Sequence, residues 1–207
     1  MPIDRPSPRG LAPAVIAAAG VLALLTACAS GGDVTAGLTG PADAPAASPT
    51  QGPGASFNEA DVTFTQMMIE HHRQAVEMAG LARTRSQDPE IKKLAAAIDK
   101  SQGAEITTMT GWLARWGKPA TPSGGMQGHD MPGMMTGEDM KRLDAARGRE
   151  FDRMFLRMMI THHQGAIAMA ETERARGSDP QAKELATTIE ATQRAEIKRM
   201  RKLLARR

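Results

Sequence analysis

The 207-residue chain has one cysteine, no tyrosine, two tryptophans and four phenylalanines. A lone thiol excludes an internal disulfide and any dithiol redox chemistry within the chain. With so few aromatics, a core must be filled by aliphatic and methionine side chains, enough for one domain of ordinary size once the chain ends are discounted. Charge of one sign is also lacking: the formal balance is +3, falling to +2 when the first 27 residues remove Arg5, Arg9 and Asp4. No broad basic face can neutralise a polyanion, which excludes a phosphate-steered nucleic-acid binder. No stretch alternates apolar and polar residues as a half-buried strand does. Histidine is scarce, five in all, yet four of the five stand as two adjacent pairs.

Those pairs sit in a segment the chain contains twice. Residues 67–79 read MMIEHHRQAVEMA and residues 158–170 read MMITHHQGAIAMA. A shift of 91 residues carries Met67 onto Met158, Met68 onto Met159, His71 onto His162, His72 onto His163 and Met78 onto Met169. The same shift carries Asp61 onto Asp152, Phe64 onto Phe155, Asp88-Pro89 onto Asp179-Pro180, Gln102 onto Gln193 and Glu105 onto Glu196. Agreement over that length marks a duplicated unit, not a chance dipeptide.

Taken in order, residues 1–27 form an export signal: Arg5 and Arg9 give a positive start, and an apolar run follows to Leu25. Leu25-Thr26-Ala27-Cys28 resembles a bacterial lipobox, which implies cleavage before Cys28 and a lipid attached to it. Such a protein lies outside the cytoplasmic membrane and is tethered to it by its N-terminus. Residues 28–56, rich in Gly, Pro, Ala, Ser and Thr, are a disordered tether with almost nothing to bury.

The domain then occupies residues 57–207, with repeats at 57–117 and 138–207 joined by a methionine-rich linker, 118–137. In the first repeat Ser56 or Asn58 caps a helix running past Ala82. Its apolar stripe holds Phe64, Met67, Met68, His71, Ala75, Met78 and Ala82, with Gln66, Glu70, Arg73 and Glu77 opposite. On this reading His71 faces the core, while His72, turned about 100° from it, sits at the stripe's edge. Two adjacent histidines therefore have different roles. Asp88 caps a second helix that begins at Pro89 and ends near Gly117, and Gln102 and Glu105 interrupt its apolar stripe. Folding the hairpin near residue 87 brings Gln102 and Glu105 level with His71, and Gln193 and Glu196 level with His162. Trp112 and Trp116 pack the bundle end. A single third helix runs from Thr136 or Gly137 to Arg176-Gly177, and a fourth from Pro180 to the C-terminus. Amphipathic helices with short turns inside each half predict an all-α fold, a four-helix bundle built from two αα-hairpins.

These residues, the paired MMIxHHxxAxxMA segments each followed by a Asp-Pro turn and a second helix, resemble the CopM-type family of ferritin-like, His/Met-rich domains, domain of unknown function 305. The likeness runs from about Phe57 to Leu204. It implies an extracytoplasmic binder of copper or silver, for sequestration, tolerance or delivery to a copper-accepting protein.

Donor chemistry points the same way. Thioethers are soft, neutral donors suited to Cu(I) or Ag(I), imidazole binds either copper state, and hard cations want clustered carboxylates. Met67 with His71, and Met68 with His72, stand one turn apart, where two side chains can meet one ion. The candidate ligands are thus His71, His72, His162, His163, Met67, Met68, Met78, Met158, Met159 and Met169. To these the linker adds Met126, His129, Met131, Met134 and Met135, expected to form a mobile capture site that is disordered without metal. Glu105, Glu196, Gln102 and Gln193 stand beside the imidazoles, with Glu105 and Glu196 either orienting those rings or binding the metal themselves. Cu(I) is the preferred metal, with Cu(II) and Ag(I) as alternatives. The Glu-x-x-His signature of di-iron bundles is absent. An enzyme with a single-metal centre of His71, Glu105, His162 and Glu196 is the competing reading, and a structural lipoprotein that binds a partner is a third.

Overall fold

The computed structural model describes residues 56–121 and 131–206. The export signal, Cys28, nearly all of the tether, Met126 and His129 lie outside them. Five helices follow in order: α1 (Glu59–Arg85), α2 (Pro89–Arg115), α3 (Gly137–Ala145), α4 (Gly148–Arg176) and α5 (Pro180–Leu204). The described residues are all-helical, as the periodicity requires, and the four long helices are the two expected hairpins.

Local chemistry sets the helix ends. Asn58 accepts from the Ala60 and Asp61 amides while the Asp61 carboxylate accepts from the Asn58 amide, a reciprocal cap. Asp88 caps α2 by accepting the amides of Glu90 and Ile91, and Asp179 caps α5 by accepting those of Gln181 and Ala182, each ahead of a proline that needs no amide partner. Each such cap contributes about 0.5–2 kcal/mol.

The expected third helix is in fact two. Ala146 and Arg147 are both extended, and α3 ends before them. The Arg147 guanidinium donates to the carbonyls of Asp144, Ala145 and Ala146, so the acceptors left over at the end of α3 are satisfied by a side chain instead of by a further helical turn. Composition does not betray this, because Ala-Ala-Arg is a helix-forming sequence.

Helix α1 packs on α2, α4 packs on α5, and α1 crosses α4, with α3 lying against both. The direction of that crossing follows from its two ends. At one, the Asp61 carboxylate accepts the amides of Ser178 and Asp179 at 2.9–3.1 Å. At the other, the Ser86 hydroxyl donates to Asp152 at 2.5 Å. The start of each helix thus meets the end of the other, so α1 and α4 are antiparallel and the duplicated halves are related by an approximate two-fold axis through their midpoints. Each of these central helices has neighbours on two sides. Burial therefore covers more of α1 than one stripe, and Gln66, expected on the exposed face, is buried with its amide donating to the Pro119 carbonyl at 2.8 Å.

Two apolar clusters flank the crossing. One gathers Met78, Ile98, Phe151, Phe155, Met159 and Leu143 of α3. The other gathers Phe64, Met68, Ile69, Met109, Leu113 and Met169. Trp112 and Trp116 do pack the bundle end, where Phe57 stacks on Trp116 at 4.8 Å.

Candidate metal centre

At the crossing the His71 and His162 rings lie 3.7 Å apart, centroid to centroid, inclined by 36°. All four paired histidines are fully buried. His72, expected at the stripe's edge, is as deep as His71, because the wide buried arc of α1 turns His71 toward α4 and His72 toward α2. The carboxylates pair accordingly. His72 Nε2 meets Glu105 Oε2 at 2.6 Å, and His163 Nε2 meets Glu196 Oε2 at 2.6 Å. The expected layer of His71, Glu105, His162 and Glu196 is thus off by one residue on each of α1 and α4. It resolves into a central imidazole pair flanked by two imidazole–carboxylate pairs. Among the described residues, no three His, Cys, Asp or Glu side chains are gathered so as to hold a metal ion.

Burial, reinforced by the neighbouring His72 and His163, holds the His71 imidazole down at about 3. Burial, followed by His71, His163 and His72, holds His162 well below the usual histidine range. Both rings are neutral at physiological pH, and a neutral imidazole carries one N–H and one lone pair. His71 Nε2 donates to the Pro132 carbonyl at 3.1 Å, while His71 Nδ1 and both nitrogens of His162 have no hydrogen-bond partner. Nδ1 of His72 and of His163 is also unpartnered, as are the buried side-chain amides of Gln102 and Gln193. Each buried polar group left unpaired costs about 1–3 kcal/mol. The polar residues expected at this level are therefore present, but only Glu105 and Glu196 are hydrogen-bonded to histidine.

The methionines divide. Met68, Met78 and Met159 are fully buried and Met169 nearly so, all within the apolar clusters. Met67 and Met158 are half-buried. Met67 and Met169 line an open groove of about 440 Å³ between α1 and α4, together with Phe64, Pro132 and Glu173. Of the linker ligands, Met131 is buried and Met134 and Met135 are half-buried. Their end of the linker is not a free loop, contrary to expectation. The Gln74 side chain donates to the Met135 carbonyl at 2.9 Å and accepts its amide at 2.7 Å. Pro132 and Gly133 lie against Gly165 of α4, where an added Cβ would overlap the Pro132 carbonyl.

Three contributors to this region escaped the sequence reading. Gln74 and Gly165 occupy equivalent positions of the two repeats, and their difference was the available signal. Glu173 stands where the first repeat has Ala82. It is buried beside Asp61, and burial, the hydrogen bond to Asp61 and the repulsion of that carboxylate push it up to about 8. Burial raises Asp61 too, but the hydrogen bonds from Glu173 and from the amides of Asn58, Asp179 and Ser178 outweigh it and hold Asp61 below the usual carboxylate range. The place of Glu173 beside Asp61 therefore favours the protonated acid at neutral pH.

The sequence profile of the domain-of-unknown-function family DUF305 matches residues 61–204. A search of curated proteins finds no match. Among solved structures, a Streptomyces coelicolor DUF305 protein thought to be secreted is 36% identical, over 71% of this chain and 93% of that one, with a TM-score of 0.67. A DUF305 fragment from Deinococcus radiodurans is 35% identical over 72% and 98%, also with a TM-score of 0.67. CopM in its Cu(II)-bound form is 37% identical over 70% and 96%, with a TM-score of 0.62, and CopM has also been solved in Cu(I)- and Ag-bound forms.

Proposed function

The chain belongs to the DUF305 family, and from that membership we propose that it is an extracytoplasmic copper-binding protein taking Cu(I) or Ag(I) at the crossing of α1 and α4. One observation carries the reading: two neutral imidazoles, His71 and His162, lie against each other in the core, inclined by 36°, with three ring nitrogens making no hydrogen bond of good geometry. An apolar pair would pack there without leaving polar atoms unsatisfied. Neutral imidazole is the form that coordinates a metal, since no proton must be displaced. The methionines along both helices supply the soft donors that Cu(I) and Ag(I) accept. Glu105 and Glu196, bonded to His72 and His163, orient those rings. The metal-bound forms of CopM support the choice of metal. The role is binding, for sequestration or for transfer to an acceptor protein, and not catalysis.

The export signal and the lipobox-like tetrapeptide at Cys28 supply the location, a lipid anchor on the outer side of the cytoplasmic membrane. Among the described residues no helix is long and apolar enough to cross a membrane. Titration with Cu(I) against a chromophoric chelator tests the function. The protein should withdraw Cu(I) from the chelator and hold Zn(II) more weakly. Equal affinity for Zn(II), or no withdrawal of Cu(I), contradicts it.

A further inference from the structure

The approximate two-fold axis makes His71 and His162 equivalent in sequence, but one segment makes them unequal in the structure. Residues 131–135 run across the middle of the α1–α4 pair and touch both helices. On α1, Gln74 holds Met135 by both its amide and its carbonyl, at 2.7 and 2.9 Å. On α4, Gly165 occupies the position equivalent to Gln74 and has no side chain. The Pro132 carbonyl lies in the space that a Cβ there would fill. A Cβ on Gly133 would likewise meet the Thr161 carbonyl at 2.6 Å, and its φ of 80° favours glycine. From that seat the Pro132 carbonyl accepts a hydrogen bond from His71 Nε2 at 3.1 Å, while neither nitrogen of His162 has a partner.

We infer that Gly165 is a positioning residue for metal capture: by admitting the Pro132 carbonyl against α4, it fixes His71 as the Nε2–H tautomer and reserves Nδ1 of that ring as the metal donor. A carbonyl oxygen can only accept, so the nitrogen facing it must carry the proton. The partner of one ring nitrogen sets which nitrogen is left to bind metal. His162 makes no such bond to the segment, so the segment reserves no nitrogen on that ring. The backbone of residues 131–135 thus acts on the site whether or not their thioethers bind, and Gln74 and Gly165 are the two anchors that keep it there. This inference rests on the copper reading for its purpose, but not for its test.

The test is a long-range proton–nitrogen NMR spectrum of the metal-free protein, paired with Ag(I) affinity. In the wild type, His71 Nε2 should resonate as a protonated nitrogen and Nδ1 as a lone-pair nitrogen. In Gly165→Ala the segment is displaced, the two His71 nitrogens should average toward a mixture of tautomers, and Ag(I) affinity should fall by about 10–100-fold, as when a ligand loses its orienting partner. The overlap with the Pro132 backbone strains Gly165→Ala whatever the role of the glycine, so a merely structural Gly165 is told apart by a folded variant whose His71 tautomer and Ag(I) affinity are both unchanged. Gln74→Leu releases the other anchor without adding bulk on α4 and should shift the tautomer in the same direction. A wild-type His71 carrying its proton on Nδ1 overturns the inference, as does a shifted tautomer with unchanged Ag(I) affinity. The tautomer is read without metal, so a protein that binds no Ag(I) refutes the copper reading separately.

Discussion

His71 and His162, one from each repeat, face each other at 3.7 Å where α1 crosses α4, and neither is protonated near neutral pH. Their contact is where the duplication closes on itself. Each helix supplies one ring to the axis, and its neighbouring histidine turns outward to a carboxylate of its own hairpin.

Replacing both rings by phenylalanine separates packing from binding. His71→Phe with His162→Phe keeps planar bulk and removes three unpartnered nitrogens but also the His71–Pro132 hydrogen bond, so the two effects offset and stability should stay within about 1–2 kcal/mol of wild type. Cu(I) affinity should fall further than the roughly 10–100-fold expected when only an orienting partner is lost. Urea unfolding and chelator competition on the same variant read both.

Glu105→Gln with Glu196→Gln keeps shape and removes the negative charge beside His72 and His163. Since these carboxylates orient imidazoles, copper should be retained with affinity lowered by about 10–100-fold. Complete loss of metal would make them ligands.

The Asp61 and Glu173 pair gives a pH signature remote from the histidines. Glu173 is raised in the fold from its ordinary 4.5 to about 8, so the folded chain holds a proton there that the unfolded chain has released. Its stabilising contribution is complete below pH 4.5 and is lost as the pH climbs through about 8. Across that window it lowers stability by at most about 1.4 kcal/mol per pH unit. Asp61, held below its usual range, works oppositely and gives up its contribution in acid. Glu173→Gln mimics the protonated acid and should flatten the decline between about pH 4.5 and 8, as read by urea midpoints at several pH values.

Met126, Met131, Met134 and Met135 replaced together by leucine keep apolar bulk and lose sulfur. Copper stoichiometry should drop while circular dichroism stays unchanged. Unaltered stoichiometry would leave these thioethers as packing alone.

Cys28→Ser tests the location. The protein should be released to the medium or remain unprocessed. A variant of mature length that stays on the membrane would remove the lipid anchor from the account.

The fold was legible because the duplication, the Asp-Pro turns and the 3.6-residue period are all local signals that agree. The His72–Glu105 pairing was legible only to within one residue. A helix stripe assigns one buried face, whereas α1 has neighbours on two, so the step between His71 and His72 selects α4 or α2 as partner rather than core or solvent. The break at Ala146–Arg147 was hidden because its cause is a side chain reaching back to three carbonyls. The seat of Pro132 depends on Gly165, which sequence alone presents as an ordinary glycine within a helical pattern. Cys28, Met126 and His129 lie outside the described residues.

The most direct measurement is the copper-edge X-ray absorption spectrum of the Cu(I)-loaded protein after desalting, compared with His71→Phe/His162→Phe. A soft-donor centre at the helix crossing should show imidazole nitrogen together with thioether sulfur around copper, with the imidazole contribution lost in the variant. A shell of oxygen donors, or a spectrum identical in the two proteins, would contradict it.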